Sequence, residues 1–202
     1  MSLPQIYLAS SSPRRAELLQ QLGVRYAVLS QAVPEQLQAG ETAAAFVCRL
    51  ALEKARAGWL QLAVERRRPV LGADTAVVVD DRVLGKPLNR EDALMMLEKL
   101  SGRSHRVLSA VALVGEDDLG QDKALVACNE NRVWFRELSP AECAAYWDSG
   151  EPVDKAGAYA IQGLAAVFSQ RLEGSYSGVM GLPLYETNEL LRAFGVHLLS
   201  SE

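Results

Sequence analysis

Charged side chains stand at several points of this sequence where folding alone would not put them. Arg14 and Arg15 close the string Ser10-Ser11-Ser12-Pro13-Arg14-Arg15, directly after the apolar run Ile6 to Ala9. Lys54 falls in the middle of an apolar face made by Phe46, Val47, Leu50, Ala51 and Ala57. Asp74 interrupts the hydrophobic stretch after Pro69, where an unpaired carboxylate would be costly. Glu35 follows Pro34 in a polar connection, Lys86 stands between Gly85 and Pro87, and Asp154 and Lys155 open a glycine-rich stretch. The set holds cations enough to grip a triphosphate. It also holds carboxylates suited to Mg²⁺, which takes one or two of them together with phosphate oxygens. Attack of water on a phosphate chain is the chemistry these residue types fit: charge on the phosphates is offset, and a carboxylate orients or deprotonates the water.

Local elements must position these groups. Ile6 to Ala9 reads as a short buried strand, and Pro13 suits the first turn of the helix that follows it. Ser12 or Ser11 is the natural N-cap, its hydroxyl accepting from an orphan backbone N–H. A helix dipole disfavours cations in its first turn, so two arginines there point to an anion, with phosphate the leading candidate. A capped helix with two solvated arginines would carry the same residues. Tyr26 to Leu29 reads as a second strand and Ser30 to Gly40 as a connection. A long helix is expected from Glu41-Thr42 to about Arg67, interrupted at Gly58, with Lys54 either snorkelling to water or meeting an anion.

Further along, Pro69 to Pro87 reads as two apolar runs with a tight turn at Asp80-Asp81, and in-register pairing would carry Lys86 back towards Asp74 and Thr75. Asn89 caps a helix from Glu91 to Leu100. Ser104 to Val114 and Leu125 to Phe135 read as an antiparallel strand pair, joined by the acidic loop 115–123. Ser139-Pro140-Ala141-Glu142 is a capping box opening another helix. Residues 150–163 form an irregular loop, Ala165 to Leu172 a late strand, residues 174–180 a loop, and Leu184 to Phe194 a closing helix. One α/β unit spanning residues 1–202 is the economical reading.

The totals narrow the classes of function. The chain has 202 residues, 49% of them apolar, and a net charge of −4, so a broad nucleic-acid-binding surface is not expected. Cys48, Cys128 and Cys143 have no paired spacing, which indicates neither a zinc site nor a disulfide framework; each reads as a small buried hydrophobe. His105 and His197 are the only histidines, against a histidine-based triad or zinc hydrolase. No leader pattern or membrane span is read, and a cytoplasmic protein is expected. Neither a GxxxxGK[ST] string nor a GxGxxG after a strand occurs, so the two common nucleotide-binding loops are absent.

Residues alone leave cleavage between the α and β phosphates and removal of the γ phosphate both open. An ordered set of motifs goes further: LASSSPRRAELL at residues 8–19, Glu35, LALEKARA around Lys54, LGADT around Asp74, GKP at Lys86, LSGRSH at residues 100–105 and DKAGAYAIQG at residues 154–163. In these the chain resembles the Maf family of nucleoside triphosphate pyrophosphatases over essentially its whole length. The resemblance implies a two-lobed α/β fold of Maf/ITPase type, with a central mixed, bent β-sheet flanked by helices and a cleft between lobes. It implies a divalent-metal-dependent enzyme (Mg²⁺ or Mn²⁺) releasing a nucleoside monophosphate and pyrophosphate, often as a homodimer.

By position, the resemblance makes Asp74 the proton acceptor and a metal ligand with Glu35. It makes Ser10, Arg14, Arg15, Lys54 and Lys86 phosphate or metal contacts, and Arg14, Thr75 and Gln162 specificity positions. Gln162 is similar to the branch acting on dTTP and UTP, and a neutral amide suits a pyrimidine edge carrying both donor and acceptor. Pro34 departs from the acidic or polar residue that often precedes the family's glutamate. Two other readings remain: the same chemistry on 7-methyl-GTP or another modified nucleotide, and a non-catalytic nucleotide sensor acting in septum formation. The intact Asp74 with its lysines weighs against the sensor, which needs no water-activating carboxylate.

Overall fold

The apolar runs and amphipathic stretches resolve, in a computed structural model describing residues 4–117 and 119–198, into a mixed β-sheet flanked by helices. The strands are β1 (Ile6–Leu8), β2 (Tyr26–Val28), β3 (Val70–Val79), β4 (Arg82–Leu84), β5 (Ser104–Glu116), β6 (Asp122–Phe135) and β7 (Ser169–Glu173). The helices are α1 (Pro13–Gln21), α2 (Ala43–Trp59), α3 (Arg90–Leu100), α4 (Pro140–Asp148), α5 (Tyr176–Met180) and α6 (Leu184–Ala193). Sheet order is β2-β1-β3-β5-β6-β7, with β4 paired to β3. The β1–β2 and β1–β3 pairs are parallel, while β3–β4 and β6–β7 are antiparallel, which makes the sheet mixed as expected.

The chain divides into two compact units, and β3, β5 and β6 each contribute residues to both. The first unit gathers residues 4–74, 109–129 and 181–198. Its core includes the fully buried Ile6, Leu8, Leu19, Leu50, Leu71 and Leu191. The second unit, Thr75–Leu108 and Glu130–Met180, is built on Leu97, Leu100, Val133, Phe135, Tyr146, Tyr159 and Phe168. There the aromatic rings meet edge to face, Phe135 with Tyr159 at 4.9 Å and Tyr146 with Phe168 at 5.1 Å, the arrangement their quadrupoles favour.

Local signals in the sequence account for most boundaries. Asn89 accepts from the Asp92 N–H at the start of α3, and Ser139 and Glu142 form the expected reciprocal capping box of α4. Asp80 and Asp81 take positive φ of 49° and 57°, the two-residue hairpin turn that matches strand twist.

Five expectations are corrected. Helix α2 ends at Trp59, not near Arg67, because the residues beyond it have nothing to pack on: Leu60 is 83% and Val64 70% exposed. Its buried face runs through Ala55 and Gly58, and Ala57 is only half-buried. The late strand begins at Ser169, since residues 164–168 form a 3₁₀ turn whose Leu164 and Ala165 N–H groups donate to the Glu151 carboxylate. Residues 176–180 form the short helix α5, with the Gly178 N–H donating to Ser175 Oγ. Of the cysteines only Cys143 is buried; Cys48 is half-buried and Cys128 exposed.

Candidate active site

Glycine in the interior of a strand marks a place where another backbone comes close, and Gly72 of β3 is such a place. A Cβ there would lie 2.3 Å from the Ala51 carbonyl oxygen and 2.6 Å from the Ala55 N–H nitrogen. Helix α2 therefore rests directly on the β3 backbone, and the contact falls one helical turn from Lys54 and two residues from Asp74. At Gly58, a Cβ would lie 2.8 Å from Val70 Cγ1, a second close approach along the same seam. Those two glycines set the distance at which the helix side chains meet the strand side chains.

Lys54 does not snorkel. It is 6% exposed, and its ammonium donates to Asp74 Oδ1 at 2.6 Å and to Glu35 Oε1 at 2.5 Å. Asp74 is equally buried, while Glu35 reaches in from the connection after β2 with nearly half of its side chain still exposed. Pro34 does not keep Glu35 from this cluster. Burial pushes the Asp74 carboxyl above the ordinary carboxylate range, and the Lys54 and Arg15 charges pull against that shift. Asp74 is thus a stronger base than a solvated aspartate, held in orientation by a lysine it cannot lose cheaply.

The Ser-Pro-Arg corner lies in the same unit. Strand β1 runs beside β3, with Ala9 N–H donating to the Leu71 carbonyl at 2.8 Å. Ser10, 6% exposed, accepts from the Ser12 N–H and from Arg15 Nη1, both at 3.2 Å. Both acceptor positions of its hydroxyl are then taken, and its remaining capacity is to donate. Pro13 occupies the first helical turn and Ser12 the N-cap position, as expected. The expected hydroxyl cap is absent: Ser12 makes no side-chain capping bond, because its own N–H is turned into the corner towards Ser10. Arg15 is fixed further by donating Nε–H to the Gly181 carbonyl at 2.9 Å, just before α6. Gly181 was not among the expected site residues, since a carbonyl acceptor leaves no mark in a side-chain pattern. Arg14, half-buried, lies near enough to Arg15 for the two charges to repel.

Ser10, Arg15, Glu35, Lys54 and Asp74 therefore form one hydrogen-bonded and charge-coupled group within the first unit. Thr75, Lys86 and Gln162 belong to the second. There the β3–β4 ladder pairs Val79 with Arg82 and Val77 with Leu84, a register which, continued, sets Lys86 opposite Thr75. The ladder stops at Leu84, and the Gly85 carbonyl instead accepts from the Gly157 N–H at 3.0 Å. Gly157 has φ of +67°, and a Cβ on it would press into Val77 at 2.9 Å. Lys86 and Gln162 are exposed, Thr75 is half-buried, and Lys155 Nζ donates to the Val153 carbonyl. Asp80 and Asp81 do more than turn the chain, pairing with Arg103 and Arg106 respectively.

Among the described residues no group of three or more His, Cys, Asp and Glu side chains is arranged to hold a metal. Asp74 and Glu35 converge on one ammonium, which leaves two carboxylates as the protein's share of a divalent-cation site. That share fits Mg²⁺ or Mn²⁺ only if substrate oxygens and water complete the shell. His105 takes no part: it is 3% exposed in the second unit, with Nε2 2.7 Å from Tyr159 OH, and burial lowers its pKa to about 4. No helix among the described residues is long and apolar enough to cross a membrane.

A family model described as "Maf-like protein" matches residues 5–194. The dTTP/UTP pyrophosphatase of Alkalilimnicola ehrlichii is 54% identical over 196 residues, covering 96% of this chain and 94% of that protein. The dTTP/UTP pyrophosphatase of Saccharophagus degradans is 53% identical over 192 residues, covering 95% and 89%. A solved structure of a nucleoside-triphosphatase / dITP/XTP pyrophosphatase from Mycobacterium abscessus overlays with a TM-score of 0.41 at 23% identity, covering 64% of this chain and 73% of that one.

Proposed function

The chain belongs to the Maf family, and from that premise we propose that it hydrolyses the pyrimidine nucleoside triphosphates dTTP and UTP to monophosphate and pyrophosphate, removing them from the nucleotide pool of the cytoplasm. The observation that carries the reading is the buried Lys54 ammonium held between Asp74 and Glu35. Asp74 takes the proton from water attacking the α phosphorus. Its raised pKa brings it closer to the operating pH, where a general base is most effective. Lys54 keeps the carboxylate oriented and lies where a phosphate oxygen can share its donors.

Ser10 donates its hydroxyl proton to a phosphate oxygen, while Arg14, Arg15 and Lys86 offset charge along the triphosphate. Asp74 and Glu35 would hold the Mg²⁺ or Mn²⁺, which when bound neutralises charge on the phosphates and on the departing pyrophosphate. Thr75, Gln162 and Arg14 set the choice of base, the Gln162 amide offering both donor and acceptor to a pyrimidine edge. The chain works as one functional unit over residues 1–202, as a homodimer; light scattering checks the assembly. The reaction is tested by incubating the pure protein with either cation and a nucleotide panel and following products by phosphorus NMR. Monophosphate plus pyrophosphate is expected from dTTP and UTP. Diphosphate plus free phosphate would defeat the α–β assignment, and preference for 7-methyl-GTP would defeat the pyrimidine one.

A further inference from the structure

Gln162 is exposed on an irregular turn, so where its amide stands depends on what holds that turn. Within the second unit the turn is gripped on both sides of it. On the near side the Ala160 N–H donates to Tyr146 OH at 3.1 Å. On the far side the Leu164 N–H donates to Glu151 Oε2 at 2.9 Å and the Ala165 N–H to Glu151 Oε1 at 3.4 Å. The two grips are joined, because Tyr146 OH donates in turn to Glu151 Oε1 at 2.7 Å. Their footing at the end of α4 is firm. The Tyr146 ring is 4% exposed and meets Phe168 edge to face, and the Ser149 hydroxyl donates to the Tyr146 carbonyl while accepting from the Glu151 N–H. Gly163 completes the fit, since a Cβ there would stand 2.2 Å from Glu151 Oε2.

We propose, resting on the reading of Gln162 as a base-selecting position, that Glu151 and Tyr146 are positioning residues for base selection: together they clamp the turn so that the Gln162 amide meets the base edge at one fixed place. Thymine and uracil present an O4 acceptor where cytosine presents an N4 amino donor. An amide carries a donor and an acceptor side by side, so it favours one edge only while it is held still, and on a slack turn it drifts to serve either. The carboxylate itself matters. Ionised, it only accepts, which is what the Tyr146 hydroxyl and two backbone N–H groups require of it. An amide of the same shape has one accepting atom, and its NH₂ then faces a donor whichever way it is turned. Glu151→Gln thus opens one side of the clamp with almost no change in volume.

The test measures, by calorimetry on the full chain with Mg²⁺, the affinities for non-hydrolysable dTTP and dCTP analogues, so that it does not depend on turnover. Glu151→Gln, Gln162→Ala and the double variant are compared with the wild type. Gly163→Ala is a second way to open the clamp, because its methyl drives the movable end of Glu151 off the turn. In Glu151→Gln, Gly163→Ala and Gln162→Ala the dTTP-over-dCTP preference is expected to fall about tenfold, the worth of one well-placed hydrogen bond. The double variant falls no further, and the Leu164 amide exchanges its hydrogen faster in Glu151→Gln. A merely structural role would weaken both analogues alike and leave the preference intact; that result overturns the proposal, as does a further fall in the double variant. If Gln162→Ala loses the preference while Glu151→Gln and Gly163→Ala keep it, only the clamp is refuted. If Gln162→Ala keeps it, the base-selecting reading of Gln162 is refuted and the clamp with it.

Discussion

Replacing Gly72 by alanine tests the seam that brings Lys54 to Asp74. The added Cβ would stand 2.3 Å from the Ala51 carbonyl oxygen, some 0.7 Å inside the 3.0 Å that real Cβ atoms keep, and 2.6 Å from the Ala55 nitrogen. Both neighbours are backbone, so no rotamer change relieves the clash; either α2 lifts from β3 or the strand bends. Overpacking that must be absorbed by backbone costs about 1–3 kcal/mol and sometimes more. Two backbone contacts at once put this variant at the upper end, about 3 kcal/mol, equivalent to a fall of roughly 6–12 °C in Tm for a chain of this size.

The same displacement lengthens the Lys54 bonds to Asp74 and Glu35, now 2.6 and 2.5 Å, beyond the hydrogen-bonding range. A misplacement of about 1 Å in a catalytic constellation costs on the order of 100-fold in rate. Urea unfolding and steady-state hydrolysis of dTTP, run side by side, read the two effects. Gly85→Ala is the control, because a Cβ there meets nothing within 4 Å and its φ is ordinary. A Gly72→Ala protein with the wild-type urea midpoint would refute the reasoning. So would a Gly85→Ala protein that loses as much.

Asp74→Asn should lower turnover by about 10²–10⁴, the usual contribution of a general base, while the urea midpoint stays within a fraction of a molar and a non-hydrolysable dTTP analogue still binds by calorimetry. Lys54→Met should cost about 3–5 kcal/mol less whatever Asp74 recovers by taking a proton, since two carboxylates then face each other without their cation. Adding Asp74→Asn to that variant should restore part of the loss, and additive single effects would contradict the coupling. His105 gives a pH signature. Its buried imidazole stays neutral in the folded chain, so stability is full above pH 6.5 and falls by roughly 3 kcal/mol as pH drops towards 4, where the folded state also protonates. His105→Phe should flatten that part of the profile in urea titrations at fixed pH steps.

The parts of this fold that were legible in the sequence are those decided locally. Asn89, the Ser139–Glu142 box, Pro13 and the Asp80-Asp81 turn each carry their structural reason in one or two side chains. What was not legible depends on distant partners. Residues 165–168 look like the start of a strand until Glu151, thirteen residues before Leu164, takes the Leu164 N–H and accepts from Tyr146 OH as well. Ser12 looks like a capping hydroxyl until Ser10 claims its N–H. For Lys54 the apolar face marked an anomaly, and two outcomes were open until the positions of Asp74 and Glu35 were known. The one overlooked local signal is Gly72: a glycine two residues before the odd carboxylate in an otherwise largely apolar strand already reports a close backbone approach.

The Glu35–Lys54–Asp74 group is poorly explained as a stabilising device. Taking an ammonium and a carboxylate out of water costs several kcal/mol per ion, and well-packed apolar side chains of the same volume generally hold a helix on a strand at least as well. Ala51, Ala55 and Gly58 already do that along the same face of α2. The group carries one negative charge in excess, which repels a triphosphate, and Arg15 counters it through its attraction to Asp74 and Glu35. On the proposed function, such a site would admit a polyphosphate when further cations arrive with it or stand near, and would then hold a base of raised pKa against the chain of phosphates. A cluster costly to bury and tuned towards proton acceptance is the arrangement the proposed metal-assisted hydrolysis would need and a passive nucleotide sensor would not.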